Sequence, residues 1–190
     1  MTPVYLIRHG ETEWSRDHRH TGRTDLPLTP RGEQQARDLG ARLRAFSFTH
    51  VLTSPQRRAA DTCALAGLGA VARVDAELRE WDCGEYEGLT LGQIHAARPG
   101  WNLYQDGCPG GDSPEDIDRR ADALLSRIRK LDGSVALFSH SHFLCAFAAR
   151  YIGLTAREGA RFRLDTGSFG ILDVEHKSAE EPSIIGWNIS

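Results

Sequence analysis

Three short apolar runs in this chain each stop at a polar, basic cluster. Val4 to Ile7 runs into Arg8-His9-Gly10, His50 to Thr53 into Ser54-Pro55-Gln56-Arg57-Arg58, and Val135 to Phe138 into Ser139-His140. Apolar runs of this length, bounded by turn residues, read as buried strands. Between them the pattern turns helical. Thr29-Pro30 supplies a cap residue followed by proline at the first helical position, and Ala36, Leu39 and Leu43 continue at helical spacing. Pro55 to Ala66 and Phe143 to Ile152 read as further helices. Ser113-Pro114-Glu115-Asp116 opens another, whose core face is Ile117, Ala121, Leu124, Leu125, Ile128 and Leu131. Short strands are expected near Val71 to Val74, Arg163 to Leu164, Phe169 to Val174 and Ile184 to Asn188. This alternation predicts an α/β fold, a three-layer α/β/α sandwich with a mostly parallel central sheet. A length of 190 residues suits one domain over 1–190. The Gly-, Pro- and Trp-rich stretch from Thr90 to Asp112 breaks the rhythm and is expected to form a small, irregular cap-like insertion (90–112) over the site.

In α/β sheets, ligands bind beyond the carboxyl ends of strands. The three strand ends therefore deliver His9, His140, Arg8 and Arg58 to one rim. Arginine forks bind phosphate oxygens bidentately, a neutral imidazole is a nucleophile, and Gly10 allows close backbone approach. Taken singly, His9 or His140 reads more readily as a structural residue, and Arg58 as a helix-surface residue. Their joint placement argues for a phosphoryl site.

Composition narrows the partners. With 23 Lys and Arg against 26 Asp and Glu, the net charge is −3, which argues against nucleic acid or an anionic membrane. No apolar run reaches membrane-spanning length, and Met1 to Arg8 lacks the regions of a signal peptide, so a cytoplasmic location is expected. Cys63, Cys83, Cys108 and Cys145 are scattered without a C-x-x-C pair and read as free thiols. His18-x-His20 and His140-x-His142 look like ligand pairs, but no Asp, Glu or Cys cluster stands at zinc spacing beside them. No metal and no cofactor are expected.

The chain resembles the histidine phosphatase superfamily, also called phosphoglycerate-mutase-like. The matching motifs are Arg8-His9-Gly10-Glu11-Thr12; Ser54-Pro55-x-x-Arg58-Ala59-x-x-Thr62; Leu78-Arg79-Glu80 followed by Gly84, Tyr86, Glu87 and Gly88; and Ser139-His140. They occur in the family order and span nearly the whole chain. The resemblance implies that His9 is the phosphorylated nucleophile and Glu80 the proton donor to the leaving oxygen. It implies a phosphate pocket of Arg8, Arg58 and His140, and substrate contacts from Ser15, Thr21, Gly22 and Ser141. Physical chemistry agrees with these roles. Arg8 and Arg58 disfavour protonation of His9. An alkoxide needs an acid to leave, and Glu80 can supply the proton if phosphate charge or burial raises its pKa. Asp82, Glu85 and Glu87 read as solvated or turn-forming.

Within the family, the stretches Thr21 to Thr29, Glu80 to Gly88 and Trp101 to Cys108 are similar to the sedoheptulose-1,7-bisphosphatase branch. Cys83, Ser141 and Cys145 depart from that branch, which carries an aromatic residue, Gly and Arg there. The implied function is hydrolysis of a phosphomonoester through a phosphohistidine. Expected substrates are small sugar phosphates or bisphosphates such as sedoheptulose 1,7-bisphosphate, and a broad substrate range remains open. A phosphoglycerate mutase is a competing expectation, although the chain is short between Gly88 and Ser113 for that branch's long cap. A non-enzymatic phospho-ligand binding module is another, although such modules typically lose the nucleophile or the acid. The expected partner is a small phosphorylated metabolite, and homo-oligomerisation is open.

Overall fold

The central strands are buried on both faces. In the computed structural model, which describes residues 3–175 and 181–190, β1 (Val4–Arg8) pairs in parallel with β4 (Val135–Ser139), which pairs in parallel with β2 (His50–Thr53). The short β3 (Ala72–Val74) extends the parallel part, while β5 (Phe169–Val174) and β6 (Pro182–Ile189) add antiparallel strands beyond β1. The order is β3-β2-β4-β1-β5-β6. Met1 and Thr2, where the N-terminal apolar stretch begins, lie outside the described residues.

Alternation along the strands fills two layers. Val4, Leu6, Val135 and Leu137 pack with Ile117, Ala121, Leu124, Leu125 and Ile128 of α6 (Pro114–Ile128), and with Phe143, Leu144 and Phe147 of α7 (Ser141–Tyr151). Tyr5, Ile7, Ala136 and Phe138 turn the other way, onto Leu39 and Leu43 of α2 (Pro30–Leu43) and Cys63 of α3 (Arg57–Leu65). Thr29 and Ser113 cap α2 and α6, each ahead of a proline in the first turn. The α/β sandwich and its mostly parallel sheet are as the sequence pattern predicts.

Several local expectations are corrected. Arg163 and Leu164 do not form a strand. Their carbonyls accept from side chains instead, Leu164 O from Arg8 Nη1 (2.6 Å) and Ser141 Oγ (3.2 Å), and Arg163 O from Trp187 Nε1 (2.6 Å). Helix α7 starts at Ser141, directly after His140, rather than at Phe143. The 90–112 stretch is not wholly irregular, because it holds α4 (Leu91–Ala97) and α5 (Leu103–Asp106). Nor does it only lie over the site, since Trp101, Leu103, Tyr104 and Cys108 are buried in the main core cluster. All four cysteines are free and buried. Among the described residues no helix is long and apolar enough to cross a membrane.

Phe138 is fully buried in the middle of the sheet. Phe138→Ala is expected to lower the unfolding free energy by about 3–5 kcal/mol, read from urea denaturation.

Candidate active site

Strand register brings the sequence-distant residues together. Arg8 lies opposite Ser139, so His9 and His140 emerge side by side from adjacent parallel strands. The His9 N–H donates to the Ser139 carbonyl (3.0 Å), and the Ser54 N–H to the Phe138 carbonyl (2.9 Å). The two imidazole centroids are 5.1 Å apart.

Their hydrogen bonds fix opposite tautomers. Nδ1 of His9 lies 2.7 Å from the Gly10 carbonyl, which can only accept, so Nδ1 carries the proton and Nε2 keeps a lone pair. At His140, Arg58 Nε donates to Nδ1 (3.1 Å), so Nε2 carries the proton and donates to Ser54 Oγ (2.9 Å). Burial, followed by the charges of Arg58 and Arg8, holds His9 well below its ordinary pKa. Burial and Arg58 do the same to His140. Both rings are therefore neutral at neutral pH. Gly10 serves a different close approach from the one expected: a Cβ there would lie 2.3 Å from the Gly32 carbonyl of α2, so its missing side chain seats the loop after β1 on that helix.

Glu80 reaches the site from a distant segment and caps α7. His140 precedes the helix without a side-chain cap of its own. Instead the Glu80 carboxylate accepts from the Phe143 N–H (2.9 Å to Oε1) and the His142 N–H (3.3 Å to Oε2), as well as from its neighbour Trp81 N–H (2.9 Å). Those α7 donors are first-turn groups that need a partner, and the helix dipole favours an anion there. Burial alone would raise the Glu80 pKa; the His142 side chain, His140 and the Trp81 N–H outweigh it and hold the carboxyl well below its usual range. Burial therefore does not by itself meet the condition set for Glu80 as an acid: in the free protein the carboxyl is held ionised, and phosphate charge is left to raise its pKa.

The 18–24 loop closes the site, held from behind. Buried Arg58 donates to the carbonyls of Thr24 (2.9 Å), Gly22 (3.2 Å) and Thr21 (3.4 Å). Gln56 bridges the loop to the acid, donating from Nε2 to the Gly22 carbonyl while its Oε1 accepts from the Glu80 N–H (2.8 Å). Glu87 sits in a turn, as expected, and is half-buried there. Its carboxylate accepts the N–H groups of Gly22, Arg23 and Thr24 within 3.3 Å. Asp82 is buried and pairs with Arg23 (2.7 Å).

These elements enclose a cavity of about 240 Å³, lined by six residues expected from sequence: Arg8, His9, Ser15, Thr21, Glu80 and Ser141. Arg58, His140 and Gly22 are absent from the lining and support it from behind. Gly22 is buried, and a Cβ there would lie 2.6 Å from the Cys83 backbone nitrogen, so its missing side chain lets the loop pack. His18, Arg19, His20 and His142 complete the lining, so that the guanidinium groups of Arg8 and Arg19 stand in one wall with four histidine rings. Among the described residues, no group of three or more His, Cys, Asp or Glu side chains is arranged to hold a metal. The inner cavity shares Arg8, Ser15, His18, Ser141 and His142 with an outer basin of about 930 Å³, reached also by Arg16, Arg31, Arg163 and Tyr104.

Sequence reading missed Arg120 and weighed His142 only as a metal ligand. The Arg120 guanidinium sits 4.5 Å from the Phe143 ring centroid, donates to the Glu80 carbonyl (3.3 Å) and lies 3.7 Å from Asp112. The available signal was position: Arg120 falls between Ile117 and Leu124 on the apolar face of α6, where a charge needs a reason.

Comparison with known proteins agrees with this arrangement. Residues 4–189 match the model of the histidine phosphatase superfamily, branch 1. An acid phosphatase of Mycobacterium tuberculosis is 42% identical, with 91% of this chain and 87% of the relative aligned. The sedoheptulose 1,7-bisphosphatase of Saccharomyces cerevisiae is 30% identical over 97% of this chain and 92% of its own. The solved structure of an M. tuberculosis open reading frame superposes with a TM-score of 0.93 at 37% identity, covering 100% of this chain and 98% of that one. Together with the paired strand-end histidines, these matches identify the chain as a phosphatase that belongs to branch 1 of the histidine phosphatase superfamily.

Proposed function

We propose that this phosphatase hydrolyses phosphomonoesters of small sugars, bisphosphates such as sedoheptulose 1,7-bisphosphate included, through a phosphohistidine on His9. The observation that carries the reading is the neutral His9 ring, with Nδ1 tied to the Gly10 carbonyl and Nε2 free, in a cavity lined by Arg8 and Arg19. In this reading Nε2 attacks phosphorus. Arg8 takes the phosphoryl oxygens, Arg58 adds positive potential from behind, and the Nε2–H of His140 turns from Ser54 toward an oxygen. Glu80, protonated once the phosphate dianion is beside it, delivers a proton to the leaving oxygen. It then takes one from the water that cleaves the P–N bond. Ser15, Thr21 and Ser141 contact the ester.

The outer basin supports a polar leaving group. Arg16, Arg31 and Arg163 reach it, but so do Glu11 and Asp165, so it suits a hydroxyl-rich sugar as well as a second phosphate. The relatives named for acid phosphatase and for sedoheptulose 1,7-bisphosphatase fit both possibilities. The chain then works as one domain, with the 90–112 segment contributing Tyr104 to the basin wall.

His9→Ala is expected to reduce phosphate release from a chromogenic ester to background, and to abolish the acid-labile label that wild type acquires on brief mixing with labelled ester. Retained label would overturn the assignment. A panel of sugar mono- and bisphosphates ranked by kcat/KM should place bisphosphates at or near the top; uniform values across unrelated esters would replace this reading with a broad-range phosphatase.

Because His9 is held neutral well below its ordinary value of about 6.5, the pH profile has a defined sign. With the substrate's own second ionisation near pH ~6 factored out, kcat/KM should not fall as pH drops from neutrality through about 6.5 and should decline only in more acid solution. An acid limb centred at or above that value would contradict the neutral-His9 reading.

A further inference from the structure

The resting state of Glu80 poses a problem for the reaction. Its carboxylate accepts three backbone N–H groups, it is only 6% exposed, and yet the first step needs it protonated. A proton must reach it from the cavity that it lines.

His142 stands on that path. Its Nδ1 lies 3.5 Å from Glu80 Oε2 and, although buried, has no hydrogen-bond partner in the structure. The distance is just beyond a hydrogen bond, and catalytic hydrogen bonds often tighten only when substrate is present. The rest of the ring is not closed off: the side chain is 33% exposed and lines both the inner cavity and the outer basin. Its orientation is set by neighbours on other elements. His20 stacks on it almost parallel (7°) at 6.0 Å, Tyr104 of α5 meets it edge-on at 5.9 Å, and the second residue of α7 is its own anchor. The charged or titratable groups facing it are Glu80, His20 and Tyr104, with Arg8, His18 and Arg19 around the same lining. Imidazole is the side chain suited to exchanging protons with water near neutrality.

We propose that His142 relays protons between the cavity water and Glu80. The proposal rests on the reading of Glu80 as the proton donor. In the first step the His142 imidazolium passes its Nδ1 proton to Glu80 Oε2. The carboxyl then gives it to the ester oxygen as that P–O bond breaks and the bond from phosphorus to His9 Nε2 forms. In the second step Glu80 takes a proton from water as the new O–P bond forms and the P–N bond breaks. The proton returns to His142 Nδ1, so one water and one ester give one alcohol and one phosphate. His142 acts through Glu80 and makes no bond to phosphorus.

The test uses kcat/KM, which reports the step forming phosphohistidine, for an alkyl phosphate that needs an acid and an aryl phosphate that needs little. Glu80→Gln, His142→Gln and His142→Ala are compared with wild type. The relay predicts that His142→Gln lowers the alkyl value by roughly tenfold more than the aryl value, a part of the roughly 10²–10⁴-fold that a positioned acid contributes. It also predicts that added imidazole restores alkyl turnover in His142→Ala, and that Glu80→Gln shows the same selective loss. Equal losses on both esters without imidazole rescue would assign His142 a packing role and overturn the relay. A selective loss in Glu80→Gln with none in His142→Gln would overturn the relay alone. No selective loss in Glu80→Gln would overturn the reading of Glu80, and the relay with it.

Discussion

The site depends on one constraint, the parallel register of β1 against β4. Pairing Arg8 with Ser139 places His9 next to His140, and β2 on the other side of β4 brings Ser54 and Arg58 to the same edge. A slip of one residue would turn every side chain of the strand to the opposite face. That slip is opposed by core packing on both sides, since Leu6 and Leu137 fill one layer while Ile7 and Phe138 fill the other. The hydrophobic pattern that builds the sandwich thus also sets the spacing between the imidazoles.

A second dependence links the acid to the fold. Glu80 stands where α7 lacks a local cap, so the same carboxylate completes the helix and faces the phosphate cavity. This couples the ionisation of Glu80 to the first turn of α7, which carries Ser141 and His142. Arg120 and Gln56 hold the backbone of Glu80 from two sides, through its carbonyl and its N–H respectively. Such support from outside the cavity keeps a reacting group in place without occupying the space a substrate needs.

Much of this was legible in sequence because it is local. Strand ends, helix caps and the Arg8-His9-Gly10 and Ser139-His140 motifs each sit within a few residues, and the expected strand His50 to Thr53 matches β2 residue for residue. Arg163 and Leu164 misled because their apolar and basic character resembles a strand, whereas their carbonyls are taken by Arg8, Ser141 and Trp187, contacts more than twenty residues away or further. Glu87 was legible as a turn residue but its partners were not, because the three N–H donors to its carboxylate lie in the 22–24 loop. Gly10 and Gly22 were legible as positions of close approach, but not what approaches them.

The sequence by itself determined the α/β class, the parallel strand ends and the side chains proposed to react, because strand and cap signals are short-range and the motifs keep their order. Only the tertiary structure decided the tautomers of His9 and His140, the ionisation of Glu80 and the division between residues that line the cavity and those that brace it. Each of those follows from which donor or acceptor a folded backbone brings within about 3 Å. The Gly10 carbonyl, Arg58 Nε and the first turn of α7 supply these partners.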